Sequence, residues 1–300
     1  MNELTSEKYR QLQRTIEELG SVLVAYSAGV DSTLVLRVAH DVLDQRVIAA
    51  TGLSDTYPDE EMAEARALAA ELGVEHVMVR TEELTDPRYA MNSHQRCFFC
   101  KNELYGKLHE LATQRGITHI IDGTNADDLG DHRPGLRAAR QLGVRSPLQE
   151  VGMTKDEIRE ISNELGLRTW DKPAFACLSS RFPYGTPITL EKLKQVADAE
   201  RGIRQLGFRG FRVRHHDTVA RLEVDPADFP RVLEQHDQIV KTVRDAGYRF
   251  VTLDLQGYRT GSLNEGLSNA VRTSSSGAAT TVASDGREAI AAPSDETIPR

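Results

Sequence analysis

Short apolar runs alternate with longer segments of helical periodicity along the first half of the chain. The opening residues, "MNELTSEKYRQLQRTIEELG", read as a polar amphipathic helix. "SVLVAYS" (21–27) reads as a short buried strand, and a helix follows from about Ser32 to Leu43. "QRVIAATG" (45–52) predicts a second strand. "PDEEMAEARALAAELG" (58–73) predicts a helix with an acidic first turn and a glycine past its end, as the helix dipole and C-cap favour. "EHVMVR" (75–80) and "ITHIIDG" (117–123) predict two more strands, separated by a helix over 101–116. A helix over 154–166 opens with Thr154 and places Glu157 three residues on, a capping box. Strands alternating with helices imply an α/β fold with a parallel sheet covered on both faces.

The pattern changes after about Pro187. A helix (190–206) leads to "FRVRHHDTVARLEV" (211–224), where apolar and polar residues alternate as in a hairpin. A helix over about 226–246 and a strand, "RFVTLDLQ" (249–256), follow. The expected organisation is an α/β domain over 1–186, a small α+β domain over 187–266 and a disordered tail over 267–300. The tail is rich in Ser, Thr, Ala and Gly and lacks periodic apolar positions.

Composition narrows the function. No apolar run approaches the length of a membrane span, and the N-terminus lacks the apolar core of a signal peptide, so a cytoplasmic location with no membrane partner is expected. A net charge of -8 argues against a broad nucleic-acid surface while leaving room for a local basic pocket. The three cysteines, Cys97, Cys100 and Cys177, do not suggest a disulfide framework.

Chemistry first becomes specific at "AYSAGVDSTLVL" (25–36). Ser27, Ala28, Gly29, Val30, Asp31 and Ser32 form a small-residue loop between strand and helix. Such a loop lets backbone N–H groups approach an anion at a helix N-terminus. The spacing is neither G-x-x-x-x-G-K-[ST] nor G-x-G-x-x-G. "SAGVDS" instead resembles the S-G-G-x-D-S signature of the PP-loop ATP pyrophosphatases, whose loop holds pyrophosphate while AMP is transferred to a substrate oxygen. Ala28 stands where that signature has its first glycine, and its Cβ restricts positive φ. An ordinary strand–turn–helix corner is the competing reading. "GTNADD" follows a strand, which places Asn125 at the strand's carboxyl end, where α/β sheets bind ligands. Asp31 and Asp128 offer hard oxygens suited to Mg²⁺. A solvated helix start would also explain Asp127 and Asp128.

"QRCFFCK" (95–101), "DGTNADDLGDHRPG" (122–135), "WDKPAFACLSSRFPYG" (170–185) and "GYRTGSLNE" (257–265), taken in order, resemble the LarE family. The resemblance runs from about residue 5 to 266. It implies an ATP-dependent sulfur transferase acting on a nucleotide, pyridinium-3,5-biscarboxylic acid mononucleotide. A carboxylate would be adenylated, then attacked by sulfur to give a thiocarboxylate. Homo-oligomers are implied as well.

The resemblance assigns sulfur delivery to Cys177. In some members that cysteine gives up its own sulfur and becomes dehydroalanine. Members with all three cysteines are implied to hold a [4Fe–4S] cluster on Cys97, Cys100 and Cys177, with an open iron for a transferable sulfide. A zinc site completed by His94, a C-x-x-C redox pair beside an independent Cys177, and three unrelated buried cysteines remain open readings.

Arg212 and Arg214, two apart on a strand, share a face and suit phosphate recognition. Arg181 and Arg259 are further candidates. Glu200 and Glu223 match acidic positions of the family pattern near the sulfur-transfer site, Glu200 among the catalytic candidates with Cys177 and Asp31. An Arg–Glu ladder across a hairpin would use the same residues. Three other functions compete: a tRNA-thiolating PP-loop enzyme, an ammonia-dependent PP-loop amide synthetase and a non-enzymatic nucleotide-binding module. The acidic charge and the lack of a basic or aromatic RNA surface count against the first.

Overall fold

A computed structural model describes residues 2–130, 134–173, 176–259 and 261–264. The tail expected over 267–300 lies outside them, as do short pieces of the "GDHRPG", "KPAFAC" and "GYRTGSLNE" stretches. Helix α1 (Glu3–Glu17) leads to β1 (Val22–Ala25), α2 (Val30–Leu43), β2 (Val47–Leu53), α3 (Asp59–Glu71) and β3 (Glu75–Arg80). A short turn of helix, α4 (Pro87–Ala90), precedes the long α5 (Arg96–Gln114) and β4 (His119–Ile121). Then come α6 (Pro134–Gln141), α7 (Pro147–Glu150), α8 (Lys155–Glu164) and α9 (Leu190–Gln205). The hairpin β5 (Arg212–His216) and β6 (Val219–Glu223), helices α10 (Phe229–Glu234) and α11 (His236–Asp245), and β7 (Phe250–Leu253) follow.

The first sheet is parallel, in the order β3-β2-β1-β4. Period-two alternation in β1 sends Val22 and Val24 into the core beneath α1, α2 and α8, and Leu23 into the core beneath α5. Both faces are therefore dry, as the continuous apolar reading of this strand requires. From β1 the chain crosses to β2 on one side and later returns to β4 on the other. The carboxyl ends of β1 and β4 thus flank a topological switch point, the standard place for a ligand in such a sheet.

The second sheet has the order β5-β6-β7, with β5–β6 antiparallel and β6–β7 parallel. The hairpin turns at Asp217, whose φ of 51° is left-handed. Val213, Ala220 and Leu222 pack with Leu193, Val196 and Phe208. Tyr89, Leu178 and Phe182, from earlier in the chain, join the same core.

Three boundaries differ from the sequence reading. The helix expected over 101–116 begins at Arg96, after Gln95, and ends at Gln114, so Cys97 and Cys100 sit in its first turns. The helix expected over 226–246 is interrupted: Pro226–Asp228 is a 3₁₀ turn, and Gln235 leaves helical geometry at φ −100°, ψ 16°. The last strand stops at Leu253 because Asp254–Gly257 forms a turn, with Gly257 N–H donating to Asp254 O at 3.0 Å.

Candidate active site

Three groups of residues make up the candidate site. The first is the loop after β1. Ala28 has a φ of 55°, so the chain enters the left-handed region despite the Cβ. Gly29 is the N-cap of α2 and supplies no side-chain cap, which leaves the first N–H groups of α2 available to an anion. Ser32 Oγ holds the loop closed: it accepts from Ser27 N–H at 3.3 Å, pairs with Ser27 Oγ at 3.0 Å and donates to Gly29 O at 3.3 Å. Val30 is buried and its side chain belongs to the core.

The segment after β4 closes over this loop. A Cβ on Gly123 would sit 2.7 Å from Ser32 N, so only glycine permits the approach. Asn125 is buried and its Nδ2 donates to Asp31 Oδ1 at 3.4 Å. Asp128 Oδ2 accepts from Asn125 N–H at 3.1 Å, so that carboxylate shapes the strand-end turn. Two lysines that the sequence reading did not single out complete this part. Lys155 Nζ is paired with Asp31. Lys172 Nζ donates to Ala28 O at 3.2 Å, Glu61 Oε2 at 2.9 Å and Glu64 Oε2 at 2.7 Å. Neither lysine stands at a P-loop spacing; Lys172 lies inside the "WDKPAFACLSSRFPYG" stretch, but nothing in that stretch says that its ammonium reaches the loop.

The second group is the cysteines. Cys97 and Cys100 lie at the start of α5, and Cys177 immediately precedes a 3₁₀ turn, Leu178–Arg181. All three thiols are free. Cys97 is exposed, and Cys100 and Cys177 are half-buried. Desolvation pushes the Cys97 thiol up; Arg96 opposes this, and a charge on Cys177 adds to it. Burial pushes Cys100 well up, helped by Glu83 and Cys177. Burial also raises the phenols of Tyr57 and Tyr89, with Cys177 and Cys100 adding to the shift. The three sulfurs are thus electrostatic neighbours, although among the described residues no three His, Cys, Asp or Glu side chains are gathered tightly enough to hold a metal ion.

The Cys177 segment is fixed from several directions. Leu178 N–H donates to Thr56 O at 2.9 Å, and Tyr89 OH lies 2.6 Å from Ser179 Oγ. Arg181 Nη1 donates to Ala176 O at 2.6 Å and to Cys177 O at 3.2 Å. Thr56 Oγ1 in turn donates to the buried Glu83 at 2.9 Å. Three cysteine sulfurs are the donor type that an iron–sulfur cluster takes, although the described side chains are not gathered into a ligand set here.

The third group surrounds the small sheet. Arg181 and Glu200, both buried, form a bidentate pair at 2.8 and 2.9 Å. Burial raises the Glu200 carboxyl, but the Arg181 charge, its hydrogen bonds and the Val213 N–H hold it below the usual range. Arg214 donates to Glu223 at 2.9 Å, to Ser180 O at 2.7 Å and to Ser262 Oγ at 2.9 Å. The Arg–Glu contact across the hairpin therefore exists, and it is tied to the cysteine segment through Ser180. Arg212 stacks over Tyr258 at 4.9 Å. Desolvation lowers its pKa and the nearby Arg181 charge lowers it further, while Tyr258 and Glu200 oppose the shift. Arg259 follows Tyr258 directly, its Nη1 donating to Gly257 O at 3.3 Å.

Two cavities flank the Arg181–Glu200 pair. One of about 320 Å³ is lined by Arg181, Arg214, Arg221, His216 and Ser262 among others. The other, of about 610 Å³, includes Lys172, Glu200, Arg204, Arg209 and Arg212. Arg212 and Arg214 thus share a strand face but open onto different cavities. Among the described residues, no helix is long and apolar enough to cross a membrane.

Comparison with known proteins agrees with this arrangement. The Asparagine synthase family model matches residues 9–173. A protein of Synechocystis sp. is 46% identical, over 88% of this chain and 99% of its own length. The pyridinium-3,5-bisthiocarboxylic acid mononucleotide synthase of Lactiplantibacillus plantarum is 39% identical, over 88% of this chain and 96% of its own length. A protein of Methanocaldococcus jannaschii is 27% identical, over 80% of this chain and 91% of its own length. With the loop, the strand-end asparagine and the cysteine-bearing segments in place, the chain belongs to the LarE family of PP-loop ATP pyrophosphatases.

Proposed function

We propose that this chain is an ATP-dependent sulfur transferase that converts a carboxylate of pyridinium-3,5-biscarboxylic acid mononucleotide to a thiocarboxylate. The observation that carries the reading is one molecule holding both an uncapped PP-loop and a Cys177 segment that is hydrogen-bonded into place. The chemistry needs both. A carboxylate is a poor electrophile because its leaving group would be oxide. Its oxygen attacks the α-phosphorus of ATP, the bond to the bridging oxygen breaks, and pyrophosphate leaves with the electron pair. Sulfur then attacks the acyl carbon and AMP departs.

The Ser27–Ser32 loop and the α2 N-terminus hold the departing pyrophosphate through N–H groups aimed at developing charge. Asp31 is the Mg²⁺ ligand in this reading. Mg²⁺ uses one or two carboxylates plus phosphate oxygens and needs no preformed protein cage. Asn125 orients Asp31. Arg212 and Arg214 meet the phosphate and carboxylate charges of the nucleotide, Glu223 keeps Arg214 oriented, and Arg181, buried against Glu200, holds the Cys177 backbone in place. Cys97, Cys100 and Cys177 are the proposed ligands of a [4Fe–4S] cluster, which when bound supplies transferable sulfur. We also assign residues 1–186 to adenylation and 187–266 to substrate binding, in a homo-oligomer.

The test is protein purified without oxygen and given ATP, Mg²⁺ and the mononucleotide. Expected results are stoichiometric pyrophosphate and AMP, a thiocarboxylate product by mass spectrometry, and iron with acid-labile sulfide in the protein. An amide product with ammonia, or thiolated tRNA, would replace the assignment. A Cys177 that loses the mass of hydrogen sulfide, with no iron bound, would replace the cluster with a sacrificial cysteine.

A further inference from the structure

Lys155 is the first residue of α8, and its ammonium lies across the mouth of the Ser27–Ser32 loop. It donates to both carboxylate oxygens of Asp31, one of them at 2.6 Å. Its backbone is firmly placed. Lys155 N–H donates to Asp127 Oδ2 at 2.7 Å, and the Thr154–Glu157 capping box fixes the turn. Lys8 Nζ anchors that turn through Glu157 and Gly152 O, each at 2.8 Å. The side chain itself stays 34% exposed, and that of Asp31 23%. So open a pair stabilises a fold only weakly, and the pairing alone does not explain a lysine at this position.

Asp31 is also the carboxylate assigned above to Mg²⁺. Two cations then compete for one ligand, and the divalent ion, arriving with ATP, is the stronger competitor for a hard oxygen. Lys172, the other lysine at the loop, cannot take over: two carboxylates and a carbonyl already occupy its three N–H donors. We propose that Lys155 is a catalytic residue that gives up Asp31 to Mg²⁺ and moves onto the phosphate oxygens at the loop. As the α-phosphorus bonds to the substrate carboxylate oxygen, the electron pair of the broken bond stays with pyrophosphate. The Lys155 ammonium offsets that charge, and no proton changes hands. The proposal rests on the reading of the Ser27–Ser32 loop as a pyrophosphate site.

The test uses the full chain, with inorganic pyrophosphate and Mn²⁺ as probes. Lys155→Met should weaken pyrophosphate binding in the presence of Mg²⁺ by roughly ten- to a hundredfold, the worth of one charge-assisted contact. The same variant, free of nucleotide, should bind Mn²⁺ more tightly than the unaltered protein in an electron paramagnetic resonance titration, because the competing ammonium is gone. Asp31→Asn should lose that Mn²⁺ site, and Lys155→Arg should retain part of the pyrophosphate affinity. A merely structural lysine would lower the melting temperature and would not tighten Mn²⁺. Unchanged pyrophosphate affinity in Lys155→Met, or unchanged Mn²⁺ affinity, overturns the exchange of Asp31 between the two cations while leaving the loop assignment standing. Unaltered protein that binds no pyrophosphate removes the loop assignment and the lysine's role together.

Discussion

The PP-loop and the proposed sulfur side of the molecule are built by different means. The loop is local. Six consecutive residues, Ser27 to Ser32, provide it, and its reactive surface is backbone N–H. The sulfur side is assembled from distant segments: α5 gives Cys97 and Cys100, Cys177 stands at the edge of the 3₁₀ turn, and α9 and β5 give Glu200, Arg212 and Arg214. Its working groups are side chains held by buried charge pairs. A site made of backbone tolerates side-chain change as long as the path of the chain survives; Ala28 demonstrates this by adopting a left-handed φ. A site made of buried charges depends on every partner.

The largest effect should come from the cysteines. Cys97→Ser, Cys100→Ser and Cys177→Ser should each abolish iron binding and sulfur transfer while pyrophosphate release continues. Activity in the first two variants alone would reduce the sulfur side to Cys177. Asp31→Ala and Ser32→Ala should do the reverse on the loop side, cutting pyrophosphate release by roughly a hundredfold or more with the fold retained. Full rates in both would break the loop assignment.

Arg181→Ala should cost about 3–5 kcal/mol of unfolding free energy, because it leaves Glu200 buried and uncompensated. Chemical denaturation measures this, and a loss under about 1 kcal/mol would contradict the dependence on paired charges. The pH dependence follows in sign. Glu200 titrates below the usual carboxylate range when folded, so the pair stabilises above the ordinary Glu value of about 4.3. That contribution is lost as pH falls through the depressed folded value.

Arg212→Ala and Arg214→Ala should weaken mononucleotide binding by roughly ten- to a hundredfold, or about 1.5–3 kcal/mol, and ATP binding far less. Calorimetric titration separates the two ligands. Equal affinities in variant and parent would make these arginines a structural ladder. The smallest effect is Ala28→Gly. It relieves left-handed strain of about 1–2 kcal/mol but returns backbone entropy to the unfolded chain. A net stability change within about 1 kcal/mol is expected by thermal melting, with ATP affinity equal or improved.

Much of the fold is legible because its periodicities are strong. The parallel strands, the capping box at Thr154 and the antiparallel hairpin stand where the apolar pattern puts them. The helix carrying the C-x-x-C starts earlier than its pattern suggests: "QRCFFCK" has no clear capping side chain, and Gln95 makes no capping hydrogen bond. The small core is also less legible. Tyr89, Leu178 and Phe182 pack with the hairpin across a long stretch of sequence.

The loop between β1 and α2, the asparagine at the end of β4, the positions of the three cysteines and the two arginines of β5 can all be located from the chain's order of residues, because each is a short pattern; their proposed roles rest on the experiments above. Three other features exist only in the packed molecule: Arg212 and Arg214 open onto different cavities, Arg181 clamps the Cys177 backbone, and Lys155 and Lys172 reach the loop. The reason is physical. Local motifs are set by backbone conformation a few residues long. Ion pairs such as Lys155–Asp31 join residues 124 positions apart, and what brings them together is the burial of the core between α2 and α8.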